Sequence, residues 1–507
     1  MFYGAVSVSE PLLLGFDVGT SAVKAAAYTL EGEPVGVAQR QIRLDAPREG
    51  ICEVDPRDYW EGLAGCCADL RRDHVPMEAV HALAVAANAE TLLPVDESLQ
   101  PVRAGIVWLD TRSRREAVDL GERFGVDELA RRSGQPQIIP MWPATKMLWL
   151  RRHEPETVAA ARWWLQPLDY LVARLTGRIL SDHSEYSSSL LLDIASRSWW
   201  RPMLDEIGVA PSSLPELVPA GSPLGPATAE ARQALGLTAD TLVVMGGFDQ
   251  ACTAVGAGNI RAGIVSESTG TSLAAVTTVP APPPSASTVP CHVHVVPDQY
   301  FLCAHNPAGG SLLAWFRDLC GTDLSFSALD DLAATVEPGS DGLVVLPYVS
   351  GAVTPTFDPD ARGVFFGVTL RHERRHLVRA LLEGVGFALA DLVDAERALG
   401  TNPLELRSVG GGAKSRLWSQ IKADVTGLTV RTVMGSDHAG ASGAAILAGV
   451  GSGLFQTVGE GTDALVRLAE GFRPDPARVA AYADVRQTYS QLYPNLQALF
   501  ARGTEGG

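Results

Sequence analysis

The sequence predicts an α/β protein built from two related halves. Short apolar runs such as Leu12-Leu-Leu-Gly-Phe16, Val80 to Ala87 and Thr241-Leu-Val-Val-Met245 have the length of buried strands, and several lead into acids. The carboxyl ends of strands are where ligands collect in open α/β sheets. The turn Asp17-Val-Gly-Thr-Ser21, set between two apolar runs, returns as Ser268-Thr-Gly-Thr-Ser272, and Thr20 and Thr271 lie 251 positions apart (271 minus 20), about half the chain. At 507 residues the chain exceeds what one hydrophobic core usually serves, so two domains are expected, 10–256 and 257–507.

The elements follow in order. Leu12 to Phe16, Val23 to Tyr28 and Pro34 to Arg40 form a meander of three strands, with Glu31-Gly32 as one turn. Asp55 to Leu70 reads as a helix, with Asp55 as N-cap, Pro56 in the first helical position and Tyr59, Leu63 and Cys67 at helical spacing. Val80 to Ala87 is a buried strand ending on Asn88 and Glu90, and Ala104 to Trp108 is another, ending on Asp110 and Arg112. Helical patterns dominate from Glu116 to about Leu237, before the strand that runs into Asp249. A second meander covers Gly263 to Val276, and Val279-Pro-Ala-Pro-Pro-Pro284 reads as a stiff surface loop, with a polyproline docking site as the sharper alternative. Arg407-Ser-Val-Gly-Gly-Gly412 is a strand entering a glycine-rich turn, followed by a helix from Ser415 to Val425.

Composition narrows the function. Hydrophobic residues at 46% and charged residues at 20% describe an ordinary globular chain. The net charge of -17 disfavours nucleic acid and acidic membrane surfaces as partners. Seven scattered cysteines, with Cys66 and Cys67 adjacent, form no disulfide framework. The N-terminus has no basic region of a signal peptide and no segment approaches the length of a membrane span, so a cytoplasmic location is expected.

A Gly-Thr-Ser hairpin lets backbone N–H groups converge beside hydroxyl donors, which makes an anion nest suited to phosphate oxygens. Ordinary hairpin chemistry is the alternative for either turn alone, and the matched pair favours phosphate. Other nucleotide signatures fail: Gly410-Gly-Gly-Ala-Lys-Ser415 has Ala413 where a P-loop needs glycine, and no dinucleotide fingerprint is present. The bare backbone at Gly410 to Gly412 permits close approach of a flat ring, or simply a tight turn. Phosphoryl transfer needs positioning, charge neutralisation by Mg²⁺ and a base for the attacking hydroxyl. Asp249 fits the base and Asp17 the holder of Mg²⁺, with an N-cap role as the structural alternative for Asp249. Cys291-His-Val-His294 lacks a second ligand cluster, so strand residues are a better reading there than a zinc site.

Taken together these motifs resemble the FGGY carbohydrate kinases of the actin, Hsp70 and hexokinase ATPase group. The resemblance runs from Leu12 to about Gly453 through Gly15-Phe-Asp-Val-Gly-Thr-Ser21, Met141-Trp-Pro-Ala-Thr-Lys-Met-Leu-Trp-Leu150, Gly247-Phe-Asp-Gln250, Thr269-Gly-Thr-Ser272, Ala380-Leu-Leu-Glu-Gly-Val385 and Gly410-Gly-Gly-Ala-Lys-Ser-Arg-Leu-Trp418. It implies two RNase H-like domains with a cleft between them, ATP and Mg²⁺ as cofactors, and Asp249 as catalytic base. It also implies that Asp17 and Asp249 approach the metal, that Gly19, Thr20, Ser21 and Lys24 meet the terminal phosphates, that Gly270 and Thr271 approach the polyphosphate, and that Gly411, Gly412 and Ser415 border adenosine.

The sugar region is similar to the glycerol-kinase type at Glu90 and Trp108, but Ala89 stands where that type has arginine, and the Met-His pair usual in xylulokinases is absent. Exchange of a guanidinium for a methyl removes donors and is expected to open volume, which points to a four- to six-carbon polyol or ketose. Asn88, Glu90, Trp108, Asp110 and Gln250 are the candidate substrate contacts. A strand-end cap, an ion pair with Arg112 and surface placement are the alternatives for Glu90, Asp110 and Gln250. The expected partner is a small sugar or polyol, and a homodimer is the oligomer considered. A glycerol-type polyol kinase, a non-sugar ATPase of the actin and Hsp70 group, and a silent sugar-binding relative are the competing readings.

Overall fold

The computed structural model describes residues 10–283, 287–321 and 324–504. The reading of the extreme N-terminus rests on residues 1–9, and the proline-rich segment ends at Pro284, so both fall at least partly outside the described residues. Contacts divide the chain into two compact units. One comprises Met1–Ile260, Pro280–Phe301 and His438–Val466; the other comprises Arg261–Val279, Leu302–Asp437 and Arg467–Gly507.

The sheet of the first unit has the order Pro223–Pro226, Leu242–Phe248, Val80–Ala87, Leu12–Val18, Ala22–Tyr28 and Pro34–Gln41. The three N-terminal strands form the expected antiparallel meander. Val80–Ala87 runs parallel to Leu12–Val18, and Leu242–Phe248 runs parallel to Val80–Ala87. A parallel strand covered on both faces must be apolar on both, which is why these runs do not alternate. Leu12, Leu13, Leu14 and Phe16 are all fully buried, each contributing about 1.5–3 kcal/mol of burial free energy.

The helix Pro56–Arg72 begins as expected, with the Asp55 carboxylate accepting from the Arg57 N–H at 3.0 Å. Its buried Tyr59, Leu63, Cys66, Cys67 and Leu70 face the meander.

The unit boundaries differ from the split at 256/257 expected from sequence. The helix Ala439–Gly451, counted with the second domain on sequence order, lies in the first unit against Leu12–Val18 and the helix Asp249–Gly256. Its small residues permit backbone contact: a Cβ on Gly443 would sit 1.9 Å from the Cys252 carbonyl oxygen, and one on Gly15 would sit 1.8 Å from that of Ala441.

The sheet of the second unit includes, in order, Tyr300–Asn306, Leu273–Val279, Ile264–Thr269, Glu405–Val409, Thr429–Val433 and Leu468–Phe472. Ile264–Thr269 is antiparallel to Leu273–Val279 and parallel to Glu405–Val409, which is parallel to Thr429–Val433. The two sheets therefore share one plan, an antiparallel pair joined by a turn with parallel strands beside its first member. The Gly-Thr-Ser turn occupies the same place in each.

Two expectations give way to finer structure. The strand expected over Ala104 to Trp108 shortens to Gly105–Ile106, because the chain turns at once, with the Asp110 N–H donating to the Val107 carbonyl at 3.0 Å. The region from Glu116 to Leu237 holds short strands among its helices, including the edge strand Pro223–Pro226, whose two prolines mask it in the sequence. Among the described residues no helix is long and apolar enough to cross a membrane.

Candidate active site

Register aligns the acids. Asp17 pairs with Ala86, Val18 with Ala87, and Phe248 with Ala87, so Asp17, Asn88 and Asp249 sit at the carboxyl ends of three adjacent parallel strands. Asn88 ties two of these ends together: its N–H and Nδ2 both donate to the Val18 carbonyl, at 2.8 and 3.1 Å, while its Oδ1 accepts from Thr91 at 2.8 Å. This side chain, a candidate for substrate, is engaged in holding the strand that carries Asp17.

Asp249 is the first residue of the helix Asp249–Gly256, and Phe248 occupies the cap position. Asp249 is therefore not the N-cap residue: the chain turns one residue earlier, and its carboxyl still accepts from the Gln250 N–H. The backbone before it is fixed from behind. The Phe248 N–H donates to Ser184 Oγ at 3.0 Å, and Asp182 accepts from the Ser184 N–H at 2.8 Å and from the Ala220 N–H at 3.0 Å.

Burial, then the nearby charges of Asp17 and Glu90, push Asp249 well above the usual carboxylate range. Burial also raises Asp17, against the pull of Lys24, its cross-strand partner. Glu90 is pushed up to about 7 by burial, opposed by a hydrogen bond from Ser188 and the charge of Lys146. Behind them Glu185 is raised by burial and by Asp169, Asp249 and Glu90, and among the described residues neither of its carboxyl oxygens has a hydrogen-bond partner. A carboxyl raised in this way is a stronger base in its ionised form, the property that proton abstraction uses.

In the first Gly-Thr-Ser turn the Gly19 N–H donates to the Ala22 carbonyl at 3.0 Å, leaving Ser21 exposed. The Trp108 indole N–H donates to Thr20 Oγ1 at 2.7 Å, so a sugar-region candidate touches a phosphate-loop candidate. Asp110 behaves differently. Its buried carboxylate accepts from the Arg112 N–H, Nε and Nη2 at 2.9, 2.8 and 2.7 Å and from the Cys52 N–H at 2.7 Å, the ion-pair alternative named for it. Gln250 follows Asp249 in the helix and is partly exposed. Ala89 is fully buried beneath the residues around it.

In the second unit the Gly270-Thr-Ser turn is stapled from outside. The Gly309 N–H donates to the Thr271 carbonyl at 3.0 Å, the Gly310 N–H to the Gly270 carbonyl at 2.7 Å and Ser311 Oγ to the Thr271 carbonyl at 2.7 Å. Gly270 and Thr271 remain exposed. At the glycine turn Gly411 is exposed, whereas Gly412 is buried, and a Cβ there would meet Thr269 Cβ at 2.6 Å. Ser415 caps the helix Arg416–Thr426, its hydroxyl accepting from the Trp418 N–H at 2.9 Å. Beneath both turns lies a buried ion pair: Lys422 Nζ donates to both oxygens of Glu267 and to Thr269 Oγ1, each at 2.9 Å. Ser408 Oγ adds a bond to Glu267 at 2.5 Å, and Thr269 also donates to Glu267.

Among the described residues no group of three or more His, Cys, Asp or Glu side chains could by itself hold a metal ion. Mg²⁺ typically uses one or two carboxylates and completes its octahedron with water and phosphate oxygens. Asp17 and Asp249, where the charge of Asp17 adds to the burial that raises Asp249, fit that limited role. His292 stacks on Phe301 at 4.9 Å and His294 meets the same ring at 5.4 Å, so both are buried packing residues of the first unit.

Sequence reasoning missed Asp182, Ser184, Lys146, Gln166, Ser188 and the Glu267–Lys422 pair. A lysine between the apolar residues Pro143, Ala144, Met147 and Leu148 of the helix Pro143–His153 was the one available signal, because a buried ammonium is costly without a task.

The sequence model of the FGGY family of carbohydrate kinases, N-terminal domain, matches residues 12–256, and that of its C-terminal domain matches residues 265–452. Xylulose kinase of Escherichia coli (strain K12) is 33% identical over 493 residues, 97% of this chain and 100% of the relative. The structure of ligand-bound xylulose kinase from Lactobacillus acidophilus superposes with a TM-score of 0.90 at 26% identity, covering 97% of this chain and 99% of the other. Gluconate kinase from Lactobacillus acidophilus gives 0.89 at 26% identity, covering 97% and 100%. With both domains matched in order and the acids aligned at the strand ends, the chain belongs to the FGGY family of carbohydrate kinases.

Proposed function

We propose that the chain transfers the γ-phosphoryl group of ATP to a hydroxyl of a neutral pentulose, with Asp249 as general base. The observation that carries this reading is the raised carboxyl of Asp249, at the end of a strand separated from that of Asp17 by Val80–Ala87 alone. Asp249 accepts the hydroxyl proton as the sugar oxygen forms its bond to the γ-phosphorus and the bridging P–O bond to ADP breaks. Asp17 and Asp249 would hold Mg²⁺, which when bound neutralises phosphate charge. Gly19, Thr20, Ser21 and Lys24 meet the terminal phosphates, Gly270 and Thr271 the polyphosphate, and Gly411, Gly412 and Ser415 border the adenosine.

The sugar is assigned to Glu90, Trp108 and Gln250, with Asn88 and Asp110 holding the surrounding backbone. Full-length similarity to a xylulose kinase supports a pentulose. Electrostatics supports a neutral substrate over a sugar acid, because a substrate carboxylate beside Asp17, Glu90 and Asp249 would raise their carboxyls further and remove the ionised base.

The test is ADP release with Mg²⁺ and ATP over pentuloses, pentitols, glycerol and gluconate, beside Asp249→Asn. Turnover of a pentulose that is lost in the variant is expected. Preference for gluconate or glycerol would overturn the substrate assignment, and turnover surviving in Asp249→Asn would overturn the base.

A further inference from the structure

Glu90 has φ of 67°, in the left-handed region that non-glycine residues enter at a cost. A residue persists there only when its surroundings over-determine it, and such residues cluster at functional sites. The surroundings of Glu90 meet that condition. Its N–H donates to Gln166 Oε1 at 2.6 Å, its carbonyl accepts from Lys146 Nζ at 2.7 Å, and its carboxyl accepts from the Ser188 hydroxyl. Lys146, Gln166 and Ser188 are themselves buried, at 0%, 1% and 0% exposure.

The chemistry of the three is disproportionate to packing. An ammonium placed out of water carries a large desolvation cost, and an apolar side chain of similar length would fill the same space more cheaply. Gln166 is in turn locked, its N–H donating to Asp169 Oδ2 at 2.8 Å and its Nε2 to the Glu185 carbonyl at 3.3 Å. The group held is also coupled to the reaction centre, since the charge of Glu90 contributes to the raised state of Asp249.

We propose that Lys146, Gln166 and Ser188 are positioning residues that hold Glu90 in its left-handed conformation, fixing its carboxyl as the element that selects the sugar. The inference rests on the sugar-kinase reading above. Lys146 clamps the carbonyl, Gln166 the N–H and Ser188 the carboxyl, so Glu90 reaches a sugar hydroxyl without further ordering. Rigid placement of a hydrogen-bonding group lowers the cost of binding.

The experiment compares the unsubstituted protein with Glu90→Gly, Lys146→Met, Ser188→Ala and the double variant Glu90→Gly/Lys146→Met. Steady-state kinetics with the turned-over sugar and with ATP are read beside thermal unfolding. Glu90→Gly relieves the backbone, so its Tm is expected to equal or exceed that of the unsubstituted protein while KM for the sugar rises roughly tenfold or more. Lys146→Met and Ser188→Ala raise KM for the sugar in the same direction and leave KM for ATP within about twofold. Because Lys146 acts through Glu90, the double variant matches Glu90→Gly in KM for the sugar.

A Lys146→Met protein of lowered Tm with unchanged KM for the sugar would overturn the clamp, as would effects that multiply in the double variant. If Lys146→Met does not fold, Ser188→Ala decides alone: unchanged KM for the sugar rejects the proposal. Turnover by the unsubstituted protein is read first, and its absence over all sugars counts against the sugar-kinase reading.

Discussion

The indole N–H of Trp108 donates a 2.7 Å hydrogen bond to Thr20 Oγ1. It links the turn after Gly105–Ile106 to the Gly-Thr-Ser turn after Leu12–Val18, two segments 88 positions apart. Since the hydroxyl accepts from the indole, its own proton is directed elsewhere and is available to an anion.

Trp108→Phe keeps the ring and removes this donor. A neutral hydrogen bond is worth about 1 kcal/mol, so kcat/KM is expected to fall roughly fivefold. Steady-state kinetics against both substrates checks it, with KM for ATP rising if the bond serves the phosphate loop.

Asp249→Asn removes the proposed base while keeping the shape. General-base catalysis contributes about 10²–10⁴-fold, and kcat is expected to fall by that amount. Thermal unfolding gives the complementary readout. Burial holds the Asp249 carboxyl above its ordinary range, so its ionised form is unfavourable in the folded protein. The neutral amide is therefore at least as stable as the acid near pH 7.

Lys422 and Glu267 have no exposed side-chain surface. Lys422→Met leaves Glu267 buried without its cation, at an expected cost of about 3–5 kcal/mol. Adding Glu267→Gln recovers much of this loss. Denaturant unfolding of the single and double variants tests the prediction. KM for ATP in the double variant tests whether the pair also holds the two turns above it.

Lys146 is lowered to about 7, chiefly by burial. A folded pKa below the unfolded value of a lysine means that the unfolded chain binds more protons between about pH 7 and about pH 10.4, so stability rises with pH across that window. Lys146→Met abolishes this group's share of the rise. Glu90 has the opposite sign: raised to about 7, it contributes stability that is lost as pH climbs from about 4.3 to 7, and Glu90→Gln removes that decline. Urea midpoints across the pH range separate the two.

Much of the fold was legible in the sequence. The strands Leu12–Val18, Val80–Ala87 and Ile264–Thr269, the helix with Asp55 as its cap and the doubled Gly-Thr-Ser turn could be read because each depends on local apolar runs, caps and turn residues. The acids were legible as candidates because charges at the ends of buried runs need a reason. Their relative worth was not. Asp110 and Glu90 look alike in sequence, yet one is filled by Arg112 and Cys52, while the other is strained and its charge is felt by Asp249.

The sequence by itself determined the class of protein, the order of its motifs and the chemistry its strand ends can support, since those follow from local pattern and residue type. Tertiary structure alone decided which acids are engaged by neighbouring side chains and backbone and which are not. The ammonium of Lys146 meets the carbonyl of a residue 56 positions earlier, and Ser184 supports a backbone N–H 64 positions later. The helix Ala439–Gly451 joins the first unit because its small residues fit a surface made by the chain's opening strand. Such contacts depend on close packing between segments distant in sequence, and no local pattern encodes them.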